Sequence, residues 1–262
     1  MSIELQARVN LRALKCNGYP GRGLVMGLND SGMHFVQVYW IMGRSENSRN
    51  RIFVAEGGRL STAPADVTKV EDPSLIIYNA MTELSHSSML GPLYFIVSNG
   101  SQTDTVAIGL CKGESAYERL LGVQFEPDEP NFTPRITGVF ELRRDGRPSF
   151  FSISIVSKAP GNYRACHREF FTYEVVPDGV GYCVTTYDHD AAEGRPLPSF
   201  SGKPYPVPLV GSPKEIAESF WDPEAGYFRN LVALAVKQID LRTGASEIAI
   251  VNKYSAVPAV RV

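Results

Sequence analysis

The chain has 262 residues, 44% hydrophobic and 21% charged, with a formal net charge of -2. That make-up supplies apolar mass for a sizeable core and argues against a general nucleic-acid binder, which carries a basic excess. No run approaches the ~20 apolar residues of a membrane span, and residues 1–16 lack the apolar centre of a signal peptide. The four cysteines, Cys16, Cys111, Cys166 and Cys183, form no C-x-x-C pair. They read as buried thiols in a reducing cytoplasm, not as a zinc site or a disulfide framework.

Taken in order, residues 3–14 alternate as a strand does and end at Asn17-Gly18. A turn-rich stretch, Tyr19-Pro20-Gly21-Arg22-Gly23, leads into an apolar strand at 24–28. Asn29-Asp30-Ser31-Gly32 reads as a hairpin turn before a β-prone strand at 35–41. Then comes Gly43-Arg44-Ser45-Glu46-Asn47-Ser48-Arg49-Asn50-Arg51, a turn that holds three arginines ahead of an apolar run at 52–55. A polar stretch follows, then strands at 75–80 and 93–98.

From 105 to 125 the apolar spacing changes to that of two consecutive helices, with Asp104 placed to cap the first and Glu114 or Ser115 to open the second. Residues 126–130 break the helix. Strands follow at 135–142, 150–156, 170–175 and 181–187, and a long Pro-, Gly- and Ser-rich loop is expected over 188–208. Ser212-Pro213-Lys214-Glu215 is a helix start with a capping pattern, and that helix runs to Trp221. A second helix is read over 227–239, a last strand around Ile248 and Ile250, and a short tail from Tyr254. Strands alternating with helix pairs predict an α+β fold in one domain, 1–262.

Three arginines in one short turn repel each other unless an anion sits among them, and the guanidinium is suited to bidentate phosphate or carboxylate recognition. The alternative is a solvated turn with Glu46 as counter-charge. Asn99-Gly100-Ser101-Gln102-Thr103-Asp104 joins a strand end to a helix start, where free backbone N–H groups can hold an anion; turn-and-cap chemistry explains it equally. Asp128 to Arg135 combines carboxylates, prolines and an arginine in a rigid connection. His189 with Asp188 and Asp190 does not suggest a metal site, because adjacent strand residues point to opposite faces. His34, His86 and His167 have no partner spacing, and no phosphate-binding loop, G-x-S-x-G or H-E-x-x-H motif is present.

Together these pieces resemble the archaeal-type IMP cyclohydrolase family. The matching residues are Tyr19-x-Gly21-Arg22 with Gly27, Arg44-Ser45, Asn50-Arg51, Tyr78-Asn79, and Ser98-Asn99-Gly100-Ser101-x-Thr103-Asp104-Thr105. Thr133-Pro134-Arg135-Ile136, Thr185-Thr186-Tyr187 and Gly211-Ser212-Pro213 complete the series. The resemblance implies a four-layer αββα sandwich like that of N-terminal nucleophile hydrolases, with mostly antiparallel sheets and no self-processing. It also implies closure of 5-formamidoimidazole-4-carboxamide ribonucleotide to inosine monophosphate in purine synthesis. The chain departs from the family pattern in its extension before Tyr19, its wider arginine loop, its 161–168 region and its long 188–208 loop.

The implied reaction needs positioning and charge stabilisation more than a covalent intermediate, and it requires no metal or redox cofactor. On this resemblance Tyr19, Tyr78, Asp104 and Tyr187 are candidates for proton transfer or orientation, and Asn99 for hydrogen bonding to the carboxamide or oxyanion. Arg22, Arg44 and Arg51 are candidates for the 5′-phosphate, with Asn50, Asn79, Gly100, Thr103 and Arg135 as further substrate contacts. The expected partner is a small purine ribonucleotide, with no nucleic acid and no membrane; a homo-oligomer is left open. Two alternatives stand beside this reading. One is an amidohydrolase with Cys16 as its nucleophile, freed by cleavage after Lys15. The other is a nucleotide-binding protein that keeps the arginines without the chemistry.

Overall fold

The structure is a computed structural model, described over residues 1–70, 77–85, 91–174, 176–192 and 194–254. The strands in chain order are β1 (Gly23–Leu28), β2 (His34–Met42), β3 (Ile52–Glu56), β4 (Arg59–Ala63), β5 (Asn79–Ser85), β6 (Leu93–Ser98) and β7 (Arg135–Leu142). They continue with β8 (Phe150–Ala159), β9 (Asn162–Tyr173), β10 (Val180–Thr185), β11 (Tyr205–Pro208), β12 (Leu231–Asp240) and β13 (Ser246–Asn252). The helices are α1 (Ile3–Cys16), α2 (Glu46–Arg49), α3 (Gln102–Cys111), α4 (Ala116–Leu121) and α5 (Pro213–Phe220). The fold is mixed α and β.

One sheet runs β11-β10-β1-β2-β12-β13 and the other β3-β4-β5-β6-β7-β8-β9. All ladders between these strands are antiparallel. Because side chains alternate across a strand, each sheet has two apolar faces to cover. Leu24, Met26, Tyr39 and Ile41 of the first sheet share a cluster with Phe95, Val97, Phe140 and Ile153 of the second. The Phe35 and Phe140 rings stack across that seam at 3.8 Å. On the other face of the first sheet, Val36, Val38 and Trp40 pack with Leu14 of α1 and with Ile216 and Phe220 of α5. Ile96 and Val139 of the second sheet pack with Val106 of α3 and Leu120 of α4. Each large side chain so buried contributes ~1.5–3 kcal/mol.

The expected strands at 24–28, 35–41, 93–98, 135–142 and 150–156 are present, as is the helix pair after Ser98. Ser115 and Ser212 each form a capping box with the glutamate three residues on, Glu118 and Glu215. Asp104 does not cap α3: Ser101 holds the cap position, and Asp104 lies in the first turn. The 170–175 expectation falls at the end of the longer β9, which stops at Tyr173, and the 181–187 expectation is β10, which starts at Val180 and ends earlier, at Thr185. Residues 71–76, including the start of the 75–80 expectation, lie outside the described residues, as do His86 and the tail from residue 255.

Two assignments are overturned. Residues 3–14 form a helix, not a strand. The apolar residues there sit at every second position, but the covered face is Ile3, Gln6, Ala7, Asn10, Leu11 and Leu14, which is helical spacing. Two of its members are polar: Gln6 Nε2 donates to Asn10 Oδ1 at 2.9 Å, and Asn10 Nδ2 donates to the Pro206 carbonyl at 2.8 Å. Leu5 and Val9, which completed the apparent alternation, are exposed.

The second concerns 227–239, which is strand β12 after a short 3-10 turn, not a helix. β12 lies between β2 and β13 and is buried on both faces, so its sequence shows no alternation, and an apolar run of that kind fits either period. Even Lys237 is fully buried there; its Nζ donates to the Gly58 carbonyl and pairs with Glu83, each at 2.7 Å. The polar stretch after residue 55 contains β4, and the long loop ends in β11. Of the four cysteines only Cys183 is buried; Cys16 and Cys111 are exposed and Cys166 is half-buried.

Candidate functional site

Antiparallel pairing carries several chain ends to one end of the two sheets. Gly23 pairs with Thr185 and with Trp40, so the start of β1, the end of β10 and the end of β2 lie together. Ser98 pairs with Thr137, which puts the end of β6 beside the start of β7. The residues just beyond these ends wall a cleft of about 520 Å³. Tyr19, Arg22, Arg44, Arg51 and Tyr187 from the sequence-derived set line it, with Glu126, Asp128, Thr133 and Arg195.

The backbone here is held tightly. Gly21, at φ +73°, lets the chain turn against the 186–187 segment; a Cβ on it would come within 2.1 Å of Thr186 Oγ1. Thr186 N–H donates to the Arg22 carbonyl at 2.8 Å, and Tyr187 N–H to the Pro20 carbonyl at 3.1 Å. The Tyr19 and Tyr187 rings consequently stack, with centroids 6.1 Å apart and 23° between planes. Arg44 covers the Tyr19 ring, its Cζ 4.1 Å from the centroid, and pairs with Asp190.

Glu126 is the anionic centre of the floor. Its Oε1 accepts from Arg22 Nη1 at 2.7 Å and from Arg135 Nη1 at 2.8 Å. Burial is the largest single influence on Arg22 and works against its charge, but the Glu126 carboxylate together with the Tyr78 and Tyr39 phenols outweighs it and pushes the pKa well up. At Arg135 burial dominates, Glu126 opposes it and Arg22 adds repulsion, so the pKa is lowered. Both guanidiniums stay charged. Arg51, only 4% exposed, differs from them. Its Nε donates to the Ser48 carbonyl and its Nη2 to the Met42 carbonyl, both at 2.8 Å, and it has no carboxylate partner among the described residues. An uncompensated buried cation is costly, and here it faces the cleft.

The opposite chemistry sits at Thr133. Its N–H donates to Asp128 Oδ1 at 2.7 Å, and its hydroxyl lies in short contact with both Asp128 Oδ2 and the Tyr187 hydroxyl. Burial raises the Asp128 pKa, against the lowering effect of the Thr133 bonds. Burial also raises the phenols of Tyr19 and Tyr187. Phe132 holds this connection in the left-handed region at φ +48°, a strained state for a non-glycine residue.

The remaining predicted residues lie elsewhere. Asn99 is fully buried behind Arg22, whose Nη1 donates to its carbonyl at 3.2 Å. Its side chain is occupied: Nδ2 donates to the Pro134 carbonyl at 2.8 Å, and Oδ1 accepts from Ile136 N–H and Gln102 Nε2, each at 2.9 Å. Gly100 abuts Arg135, where a Cβ would meet Nη1 at 2.0 Å. Tyr78 is buried, its hydroxyl 2.7 Å from that of Tyr39. Thr103 is buried against Ser98. Asn79 Nδ2 donates to the exposed Asp104 at 2.8 Å, and Asn50 clamps Asp66 in a separate groove lined by Glu46, Arg49 and Lys253. Glu126, Asp128, Thr133 and Arg195 were not among the expected site residues. The signal for three of them was the Pro-broken acidic stretch before Arg135; for Arg195 it was only the length of its loop.

No group of three or more His, Cys, Asp or Glu among the described residues is arranged to hold a metal ion. No described helix is long and apolar enough to cross a membrane.

The cleft at the end of the two sheets is lined by more arginines than carboxylates. The chain belongs to the IMP cyclohydrolase-like protein family, whose model matches residues 19–244. It is also similar to the IMP cyclohydrolase of Methanopyrus kandleri, 30% identical over 202 residues, which cover 70% of this chain and 89% of that protein. Helix α1 precedes the family match.

Proposed function

We propose that this protein is an IMP cyclohydrolase, closing 5-formamidoimidazole-4-carboxamide ribonucleotide to inosine monophosphate with loss of water. Family membership supports the reading, and the observation that carries it is Arg51, a buried cleft cation that among the described residues is answered only by backbone carbonyls. The 5′-phosphate would complete its charge, with Arg44 at the rim. Arg49 turns into the separate groove and takes no part.

The ring-closing step forms a bond from the carboxamide nitrogen to the formyl carbon, moving charge onto the formyl oxygen and releasing a proton from nitrogen. In this reading Arg22, fixed by Glu126, stabilises that charge. Tyr187 takes the proton while passing its own to Thr133, which passes one to Asp128; a raised carboxyl pKa suits the acceptor. Returned along the same path, that proton turns the oxyanion into a hydroxyl; a second proton, given up by the former formamide nitrogen as its C=N bond forms, passes to the hydroxyl, which leaves as water. Tyr19 orients Tyr187 and Arg44. Asn99, Gly100, Tyr78 and Arg135 support the floor, and Asn50, Asn79, Thr103 and Asp104 act at a distance from the substrate.

We read residues 1–262 as one domain with αββα layering like that of N-terminal nucleophile hydrolases, acting in the cytoplasm. The helices on the outer faces of the two sheets support this layering. Cys16, exposed at the end of α1, does not line the cleft, which weighs against the amidohydrolase. The test is incubation of the purified protein with the formamido ribonucleotide while inosine monophosphate is followed. Binding without product would replace this reading with that of a non-catalytic nucleotide-binding protein.

A further inference from the structure

Arg44 differs from Arg51 in that its charge is already answered. Its ion-pair partner, Asp190, stands behind it rather than in the cleft wall, and comes from the long segment after β10. That segment is pinned at its base. Asp188 accepts from Ser201 N–H at 3.0 Å and from the Ser201 hydroxyl at 2.7 Å, and Asn17 Nδ2 donates to the Asp188 carbonyl at 2.8 Å. Asp190 itself rests on Gly18, where a Cβ would lie 3.1 Å from its Oδ2. The carboxylate is therefore delivered to a fixed place.

The pair is not a structural one. Its side chains are 39% and 42% exposed, and an ion pair that wet is screened and gives way readily. Arg44 also rests on the Tyr19 ring, a contact that does not involve the carboxylate. A phosphate dianion entering the cleft offers Arg44 a stronger, two-oxygen partner. Asp190 would then be left as an unpaired negative charge close to the bound phosphate.

We propose that Asp190 is a surrogate anion for Arg44, which it holds when the cleft is empty and yields to the phosphate of the ligand. Its charge weakens nucleotide binding and speeds product release. This inference rests on the reading of the cleft as a nucleotide site.

The experiment is titration calorimetry of the full chain with inosine monophosphate and with inosine, for wild type, Asp190→Asn, Arg44→Ala and the double variant. Both residues are half-exposed, so the variants should melt close to wild type. Asp190→Asn is expected to tighten the monophosphate by roughly two- to fivefold and leave inosine unchanged. The gain should vanish in the Arg44→Ala background, the signature of coupling through that arginine. In turnover, KM and kcat should both fall, because product leaves more slowly. Unchanged or weaker monophosphate binding by Asp190→Asn would overturn the inference, and so would an equal gain for inosine or a gain that survives loss of Arg44. Wild type that binds no monophosphate at all would instead remove the nucleotide reading beneath it.

Discussion

Arg22 Nη1 and Glu126 Oε1 lie 2.7 Å apart with side chains 12% and 9% exposed, and Arg135 reaches the same oxygen at 2.8 Å. One carboxylate therefore bridges two nearly dry guanidiniums and leaves the trio with one positive charge in excess. Removing one member of a buried pair typically costs ~3–5 kcal/mol, because the charge left behind is uncompensated. Glu126→Ala should lower the Tm by roughly 6–20 °C, given ~2–4 °C per kcal/mol at this chain length. A loss of only a degree or two by calorimetry would mean that the floor is wetter than described.

The arginine loop separates two roles. Arg51→Ala should weaken inosine monophosphate binding by roughly ten- to a hundredfold, the equivalent of charge-assisted bonds worth ~1.5–3 kcal/mol. Arg51→Lys should recover part of this, since it restores charge without the fork. Arg49→Ala, whose guanidinium faces the other groove, should bind as wild type does, and inosine should be indifferent to all three. Equal losses at Arg49 and Arg51 would show that the loop acts only through its summed charge.

Thr133 bridges Asp128 and Tyr187 through one hydroxyl. Thr133→Val keeps the shape and removes the bridge. It should lower kcat by ~10²–10⁴ if proton transfer depends on it, with KM little changed. Thr133→Ser restores the hydroxyl and should recover most of the rate. A serine variant no faster than the valine one would reduce the bridge to a packing contact.

Asp128 gives a pH signature. Burial holds its pKa above the ordinary 3.8, so the folded state binds this proton more tightly than the unfolded chain does. Its stability contribution is then fully present below the unfolded pKa and is lost as pH rises through the elevated folded value. The Tm of wild type minus that of Asp128→Asn should therefore be most favourable near pH ~4 and shrink toward pH ~7. Thermal melts of both proteins across that range check the sign; a difference that grows with pH contradicts it.

How much of this was legible varies with how local the cause is. Ser115 with Glu118 and Ser212 with Glu215 announce their helices because a capping box is complete within four residues. β2 and β6 read as strands from their β-prone apolar runs. Helix α1 and strand β12 were misread for opposite reasons. In α1 the covered face includes Gln6 and Asn10, whose polarity is met by each other and by the Pro206 carbonyl of β11. In β12 both faces are covered, so the period that separates strand from helix is erased.

The site divides in the same way. Sequence by itself marked Tyr19, Arg22, Arg44, Arg51 and Tyr187 through the residue types and order of their motifs, but it did not mark the cleft's Arg195. Only tertiary structure decided which charges are answered, because a counter-ion is a matter of a few ångströms and not of spacing along the chain. Glu126 meets Arg22 from more than a hundred residues away, Asp190 meets Arg44 from farther still, and among the described residues Arg51 is left with backbone carbonyls alone. Coulomb energy falls with distance in space and with exposure to water; the sequence records neither.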